Sequence, residues 1–121
     1  MKALLLVAHG SRRDASNEEV RALAQRLREQ AGDAFGRVAC AFLELAEPSI
    51  PEGIQQCIDA GAREVVVLPY FLSAGRHVSE DIPAQVRLKQ QEHPQVAIRI
   101  APYLGAAPGV AELLLEAATR N

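Results

Sequence analysis

The feature that most constrains the fold is a regular alternation of apolar runs with amphipathic segments along the chain. Four strand-like runs and four helical patterns follow one another at 2–8, 16–31, 37–45, 49–60, 64–68, 79–92, 96–101 and 110–119. Strands that alternate with helices of this length form right-handed βαβ units and hence a parallel sheet. The first run, KALLLVA, is apolar almost throughout, as expected of a strand covered on both faces. The sequence therefore predicts an α/β fold: a four-stranded parallel sheet in the order 2-1-3-4, with helices on both faces.

Capping signals mark where three of the helices are expected to begin. Ser16 and Glu19 form a capping-box pattern at the first helix, and Ser49 and Glu52 repeat that pattern at the second. Ser79 is expected to cap the third helix. Each signal predicts a first helical turn directly after the capping serine.

Length and composition fit a single domain over residues 1–121. Hydrophobic residues make up 49% of the chain, enough for an aliphatic core that needs no disulfides. The formal net charge is −2 and the basic residues are scattered, which argues against a nucleic-acid surface. No apolar run approaches the length of a membrane span. Cys40 and Cys57 have no CxxC spacing, so we expect buried free thiols and a cytoplasmic protein.

Three potential metal ligands fall at the carboxyl ends of predicted strands. His9 follows the first strand, Glu44 ends the second, and His77 follows the third after a long loop. In an open parallel sheet ligands bind at that edge, and the order 2-1-3-4 makes the three exits adjacent. Two imidazoles and a carboxylate suit divalent Zn, Co, Fe or Ni, and three protein ligands leave coordination positions open. Three arginines that could bind carboxylates bidentately are predicted at the same edge: Arg12, Arg13 and Arg76.

Each potential ligand also has an ordinary structural explanation. His9 could end its strand with the ring hydrogen-bonded to backbone. Glu44 and the nearby Glu47 could be two solvated loop carboxylates, and for Glu47 we prefer that interpretation. His93, near a helix end, is expected at the surface without a role.

Three separated motifs resemble those of the CbiX/SirB group of sirohydrochlorin chelatases. They are HGSR at 9–12, FLELAEPSI at 42–50 and VVVLPYFLSAGRHVSEDIP at 65–83. The resemblance implies the class II chelatase fold and insertion of Co(II) or Fe(II), with Ni(II) as a further candidate, into sirohydrochlorin for cobalamin or sirohaem synthesis. It also implies the short form of the enzyme, a homodimer with the tetrapyrrole in the cleft between subunits. The metal is a substrate, and no organic cofactor is expected, because the sequence has neither a P-loop nor GxGxxG.

The resemblance also implies roles for residues at the matching positions. His9 and His77 bind the metal, and Glu44 matches the acidic position associated with it. One of these three side chains is expected to accept the pyrrole protons. Gly10 and Ser11 are expected to let the macrocycle approach the first loop. The three arginines are the expected anchors for its carboxylates: Arg12, Arg13 and Arg76.

Two other functions stay open at this point. The same three ligands could belong to a non-enzymatic module for divalent-metal delivery or sensing. A histidine phosphatase also carries a histidine at the end of its first strand, but in an Arg-His-Gly sequence. Here Ala8 precedes His9 and Arg12 follows it, so that phosphate-binding arrangement is not reproduced.

Overall fold

A computed structural model describes residues Met1–Arg120. In that part of the chain one parallel sheet is formed by β1 (Lys2–Ala8), β2 (Arg37–Phe42), β3 (Glu64–Pro69) and β4 (Ala97–Ile100). The helices are α1 (Asp14–Ala31), α2 (Ile50–Asp59), α3 (Ile82–Glu92) and α4 (Val110–Thr119), and a π-helical turn, His77–Asp81, leads directly into α3. The strand order is β2-β1-β3-β4, and every neighbouring pair is parallel. The predicted sheet and its order are confirmed.

Two of the predicted strands are too long in the sequence interpretation. β2 ends at Phe42, so Glu44 lies in the loop after the strand and not, as predicted, within the strand. β4 covers only Ala97–Ile100, without the residue predicted at either end. β1 and α4 have the predicted bounds, and β3 gains Pro69.

Of the three predicted capping serines, only Ser49 caps a helix. Its hydroxyl accepts from the Glu52 N–H at 3.2 Å, and the Ser49 N–H donates to the Glu52 carboxylate at 3.0 Å, which lowers the pKa of that carboxyl. The prediction for Ser16 is wrong, because α1 begins at Asp14 and the Ser16 N–H is already bonded to the Arg13 carbonyl.

The prediction for Ser79 is also wrong. This residue lies inside the π-helical turn, where its hydroxyl donates to the Gly75 carbonyl at 2.8 Å. The helical segment therefore begins at His77, earlier than the capping pattern predicts. A serine that bonds back to a carbonyl four residues earlier is common inside helices, and sequence alone does not separate that use from a cap.

The two faces of the sheet are covered unequally. α2 and α3 pack on one face, where Leu5, Val67, Ile54 and other side chains form the main core. α1 packs on the other face, where a smaller cluster gathers around Leu4. α4 packs mainly against a 3-10 turn, Leu104–Ala106, and does not lie on the sheet. Helices on both faces are confirmed, but the last helix is not one of them.

The prediction of a buried free thiol is confirmed for Cys57, whereas Cys40 and His93 differ from what the sequence predicts. Cys57 is fully buried, whereas Cys40 is only half-buried, and burial raises the pKa of both thiols. His93 was expected at the surface without a role, which is wrong. Its Nε2 lies 2.9 Å from Gln55 Oε1, which also accepts from the buried Lys89 ammonium at 2.7 Å. This polar group joins α3 to α2.

No helix between Met1 and Arg120 combines the length and the apolar character that a membrane crossing requires.

The two capping patterns give a direct test of the helix assignment. Ser49→Ala removes an acceptor for a helix N–H and should lower the free energy of unfolding by about 1 kcal/mol in urea titrations. Ser16→Ala is the matched control and should change it by less than about 0.5 kcal/mol, as surface substitutions usually do. Equal losses in the two variants would contradict the start of α1 at Asp14.

Candidate functional site

The loop after β1 begins with a close backbone approach between His9, Gly10 and Glu44. The Glu44 N–H donates to the His9 carbonyl at 3.1 Å, which continues the pairing of β1 with β2 beyond both strands. Gly10 has a φ of +96°, and a Cβ there would lie 1.8 Å from the Glu44 carbonyl oxygen. Only glycine avoids that overlap, so Gly10 has a structural role in bringing the two loops together. Its contact with a macrocycle stays a prediction.

Asn17 holds the next part of the same loop. It is 3% exposed, its Oδ1 accepts from the Ser11 N–H at 2.9 Å, and its Nδ2 donates to the Ser11 carbonyl at 2.8 Å. The side chain thus pairs with Ser11 as a neighbouring strand would. Sequence reasoning missed this residue. The available signal is that Asn17 shares helical spacing with the apolar positions Val20 and Ala24, which places a polar group on the packed face of α1.

The loop after β2 carries Glu44 at the edge of the sheet. The next residue, Leu45, has a φ of 65°, a left-handed conformation that is unusual for a bulky side chain, and is 54% exposed. Arg21 on α1 holds this loop: its guanidinium lies 5.3 Å from the Phe42 ring centroid and donates to the Glu47 carbonyl at 3.2 Å. The Glu47 residue is exposed, as expected of a solvated carboxylate.

The loop after β3 leads to His77, the first residue of the π-helical turn. The His77 Nδ1 atom lies 2.8 Å from Oδ2 of Asp81, four residues along the same turn. Sequence reasoning missed Asp81. The spacing of the two residues is the signal that could have found it, because side chains four residues apart face the same side of a helix.

The 3-10 turn Leu104–Ala106 holds the loop after β3 from its other side. The Gly105 N–H donates to the Phe71 carbonyl at 2.9 Å, and a Cβ at Gly105 would lie 1.8 Å from the Leu72 carbonyl oxygen. The backbones can approach this closely only with glycine at position 105. The turn before α4 is therefore tied to the loop that leads to His77.

The three predicted ligands come together at the carboxyl edge of the sheet. His9 Nε2 lies 3.8 Å from Glu44 Oε1, and the ring centroids of His9 and His77 are 4.7 Å apart at an interplanar angle of 87°. Two donor atoms that each bind one ion at about 2.1 Å lie at most about 4.2 Å apart, so His9 and Glu44 are already within range of a shared metal. In the conformation described for Met1–Arg120, however, no group of three or more His, Cys, Asp or Glu side chains is close enough to hold a metal ion. Ligation by all three residues stays a prediction.

A cavity of about 250 Å³ opens beside these residues. It is lined by Leu43, Glu44, His77, Asp81, Ala84 and Gln85. In the described part of the chain, Gln85 Oε1 is buried and has no hydrogen-bond partner. The cavity is smaller than the roughly 300–1,000 Å³ of pockets that enclose drug-sized ligands. It has room for an ion and its water, whereas a large ligand would have to lie across the edge.

The predicted anchoring residues lie at this edge. Arg12 and Arg13 are exposed in the loop after β1, and Arg76, with a side chain 81% exposed, precedes His77 and lies 3.6 Å from Glu80. The Ser11 hydroxyl accepts from the Arg13 N–H at 3.0 Å, so this serine helps to shape the loop. Contact of the arginines and Ser11 with a substrate stays a prediction.

The chain matches one family model and several known chelatases. The CbiX family model matches residues 3–121. The chain is 38% identical over 93 residues to the sirohydrochlorin cobaltochelatase of Methanocaldococcus jannaschii. The matched region covers 77% of this chain and 64% of that protein. It is 30% identical over 116 residues to the sirohydrochlorin ferrochelatase of Priestia megaterium, which covers 96% of this chain and 43% of that protein.

A solved structure agrees with the sequence comparisons. The CbiX protein of Marinobacter aquaeolei VT8 superimposes with a TM-score of 0.83 at 31% identity, over 98% of this chain and 94% of that one. The chain therefore belongs to the CbiX family. It spans less than two thirds of the length of the two curated chelatases that it matches.

The overlap at Gly10 gives a prediction with a matched control. Gly10→Ala should lower the free energy of unfolding by about 2–4 kcal/mol. Two effects contribute: the new methyl group overlaps the Glu44 carbonyl, and alanine is strained at a positive φ. Gly61→Ala has a similar φ, +102°, and nothing within 4 Å of the added Cβ. This control should cost only about 1 kcal/mol. Equal losses in chemical denaturation would contradict the close approach of the two loops.

Proposed function

We propose that the chain is a chelatase that inserts Co(II) or Fe(II) into sirohydrochlorin, for cobalamin or sirohaem synthesis, with the metal as a substrate and no organic cofactor. The observation that carries the proposal is the meeting of His9, Glu44 and His77 at the open edge of a CbiX-family sheet. The named relatives include one cobaltochelatase and one ferrochelatase, which supports both metals. Ni(II) remains a further candidate, because imidazole and carboxylate ligands accept all three ions.

The donor set has the chemistry that metal insertion requires. Three protein ligands hold a divalent ion and leave coordination positions for the macrocycle nitrogens. As the ion moves into the macrocycle it replaces two pyrrole N–H protons, so the products are the metallated macrocycle and two protons. His9, Glu44 and His77 each become a free base when the metal leaves, and each is then able to accept a proton at the edge where it is released.

The arginines supply positive charge for the carboxylates of the macrocycle. Sirohydrochlorin carries acetate and propionate groups, and Arg12, Arg13 and Arg76 present guanidinium groups at the edge that the macrocycle must cover. Gly10 and Ser11, which form the loop between these arginines and His9, complete the proposed binding surface. A cytoplasmic protein with no nucleic-acid or membrane partner is part of the same proposal. The net charge of −2 does not favour a nucleic-acid partner, and the two free cysteines fit a reducing compartment.

The proposal includes a homodimer, and an uncovered apolar groove supports it. The groove has a volume of about 360 Å³ and lies on the α1 face of the sheet, where Leu6, Leu23, Leu27 and Leu68 line it. α1 is the helix that packs on this face, over β2. A sheet face of this kind requires a second helix to cover its apolar side chains.

The proposed occupant of the groove is α4 of a second copy. All residues from 111 to 119 are exposed, and Leu113, Leu114 and Leu115 are 61%, 66% and 68% exposed. Val110, Leu113 and Leu114 repeat at helical spacing, whereas Glu112 and Glu116 form a polar stripe. In the described part of the chain, the apolar side of α4 is exposed and the groove on the α1 face is uncovered. An exchange of α4 between two copies covers both and places two carboxyl edges in one assembly around the macrocycle.

Metal insertion is tested with purified protein, sirohydrochlorin and Co(II), following the absorption of the tetrapyrrole. His9→Ala and His77→Ala should each lower the insertion rate by at least about a hundredfold, because each removes a proposed metal ligand. The circular dichroism spectrum should be unchanged, because both side chains lie at the exposed edge of the sheet. His93→Ala, which removes the histidine bonded to Gln55, is the control and should keep the wild-type rate. Wild-type turnover in either edge variant would contradict the ligand assignment.

The same assay separates the enzyme from a metal-delivery or metal-sensing module. A chelatase converts many equivalents of sirohydrochlorin per protein chain, whereas a delivery or sensing protein binds metal stoichiometrically and leaves tetrapyrrole absorption at the uncatalysed rate. Stoichiometric binding alone would overturn the proposal in favour of the second function. Initial rates with Co(II), Fe(II) and Ni(II) identify the preferred ion.

The dimer is tested by sedimentation equilibrium. Leu114→Glu places a charge in the proposed interface on both copies. The dissociation constant should rise at least about a hundredfold, since burying one leucine is worth about 1.5–3 kcal/mol. Glu112→Gln, on the polar stripe of the same helix, should leave it unchanged. A monomeric wild-type protein, or an unchanged dimer in Leu114→Glu, would contradict the exchange of α4.

A further inference from the structure

At the site, within Met1–Arg120, the His77–Asp81 pair joins an imidazole ring to a carboxylate at hydrogen-bond distance. Nδ1 of His77 lies 2.8 Å from Oδ2 of Asp81. In contrast, His9 lies 3.8 Å from Glu44, beyond hydrogen-bond distance. Within Met1–Arg120, His77 is thus the member of the candidate ligand set whose ring has a close carboxylate partner.

The backbone holds Asp81 in place for this contact. His77 and Asp81 begin and end the π-helical turn, which the Ile82 N–H closes by donating to the His77 carbonyl. Ile82 is fully buried in the core between α3 and the sheet, so the residue next to Asp81 is anchored. Both side chains of the pair are about 40% exposed and line the same cavity as Glu44.

The chemistry of the contact determines which nitrogen of His77 is free. A carboxylate oxygen is a hydrogen-bond acceptor, so the 2.8 Å contact pairs Asp81 Oδ2 with an N–H at Nδ1 of His77. A neutral imidazole protonated at Nδ1 has its lone pair on Nε2, and a metal binds a nitrogen only through that lone pair. The lone pair of His77 is therefore on the nitrogen that does not contact Asp81.

We infer that Asp81 is a positioning residue for metal capture: it holds His77 as the Nδ1–H tautomer and so presents Nε2 as the metal-binding atom. The inference rests on the proposed function only in taking His77 as a metal ligand. Carboxylate partners of this kind fix ring orientation and raise ligand basicity, and their loss commonly lowers metal affinity by about 10–100-fold. Asp81 itself does not bind the metal in this arrangement.

The tautomer is measured in the metal-free protein. Long-range ¹H–¹⁵N correlation spectra distinguish protonated from unprotonated ring nitrogens. The signals of the three histidines are assigned with His9→Ala and His93→Ala. His77 should be protonated at Nδ1 in the wild type, and Asp81→Ala, which removes the acceptor, should shift it toward the Nε2–H form that free histidine favours. An Nε2–H wild-type ring, or an unchanged tautomer in Asp81→Ala, would overturn the inference.

Metal capture is measured next, by titration with Co(II) in the absence of sirohydrochlorin. Asp81→Ala and Asp81→Asn should weaken Co(II) binding by about 10–100-fold with the same d–d absorption bands, because the ligands are unchanged. Glu80→Ala is the matched control: it removes the neighbouring carboxylate, which pairs with Arg76, and should alter neither tautomer nor affinity. Unchanged affinity in the Asp81 variants would overturn the inference, and so would altered absorption bands, which would make Asp81 a ligand.

The two proposals fail in different ways. If the protein proves not to be a chelatase, insertion activity is absent, while the tautomer and the affinity for Co(II) still report on Asp81. If Asp81 has no positioning role, insertion remains dependent on His77 while the Asp81 variants behave as the wild type does.

Discussion

The hydrogen bond from the Glu44 N–H to the His9 carbonyl, 3.1 Å long, continues the pairing of β1 with β2 into the loops that carry the candidate ligands. It forms because Gly10 has no side chain to strike the Glu44 carbonyl. This backbone contact, and not the attraction between the His9 and Glu44 side chains, sets their positions, since exposed ion pairs contribute little to stability. β1 also pairs with β3 on its other side, and this brings His77 to the same edge. The central strand thus sets the distance between three loops that are far apart in sequence.

Much of the fold is predictable because the alternation of strands and helices leaves few topologies. The bounds of β1 and α4 and the cap at Ser49 follow from local patterns. Ser16 fails as a cap because Asn17, one residue later, holds the preceding loop through Ser11 and lets α1 begin at Asp14. A pattern of residue types contains no information about such a contact. For the same reason the apolar spacing of α4 predicts a helix correctly but does not say on which surface the helix packs.

The candidate site is predictable to the extent that it depends on strand order. His9, Glu44 and His77 gather at one edge because each follows a strand of the predicted sheet. Asp81 was missed because a carboxylate early in a helix has an ordinary explanation in the helix dipole. Its pairing with His77 depends on the π-helical turn, a backbone irregularity that hydrophobic periodicity does not reveal.

Gly105 links the loop that leads to His77 with α4. Its backbone touches the loop that leads to His77, and the helix that follows it is α4. If α4 packs on another copy, a shift of the helix is transmitted through the turn to the loop that leads to His77. The two equilibria are then linked. If ion binding strengthens the association of two copies, that association strengthens ion binding by the same free energy. Under the proposed function, the assembled state would then be the one that binds the metal most tightly.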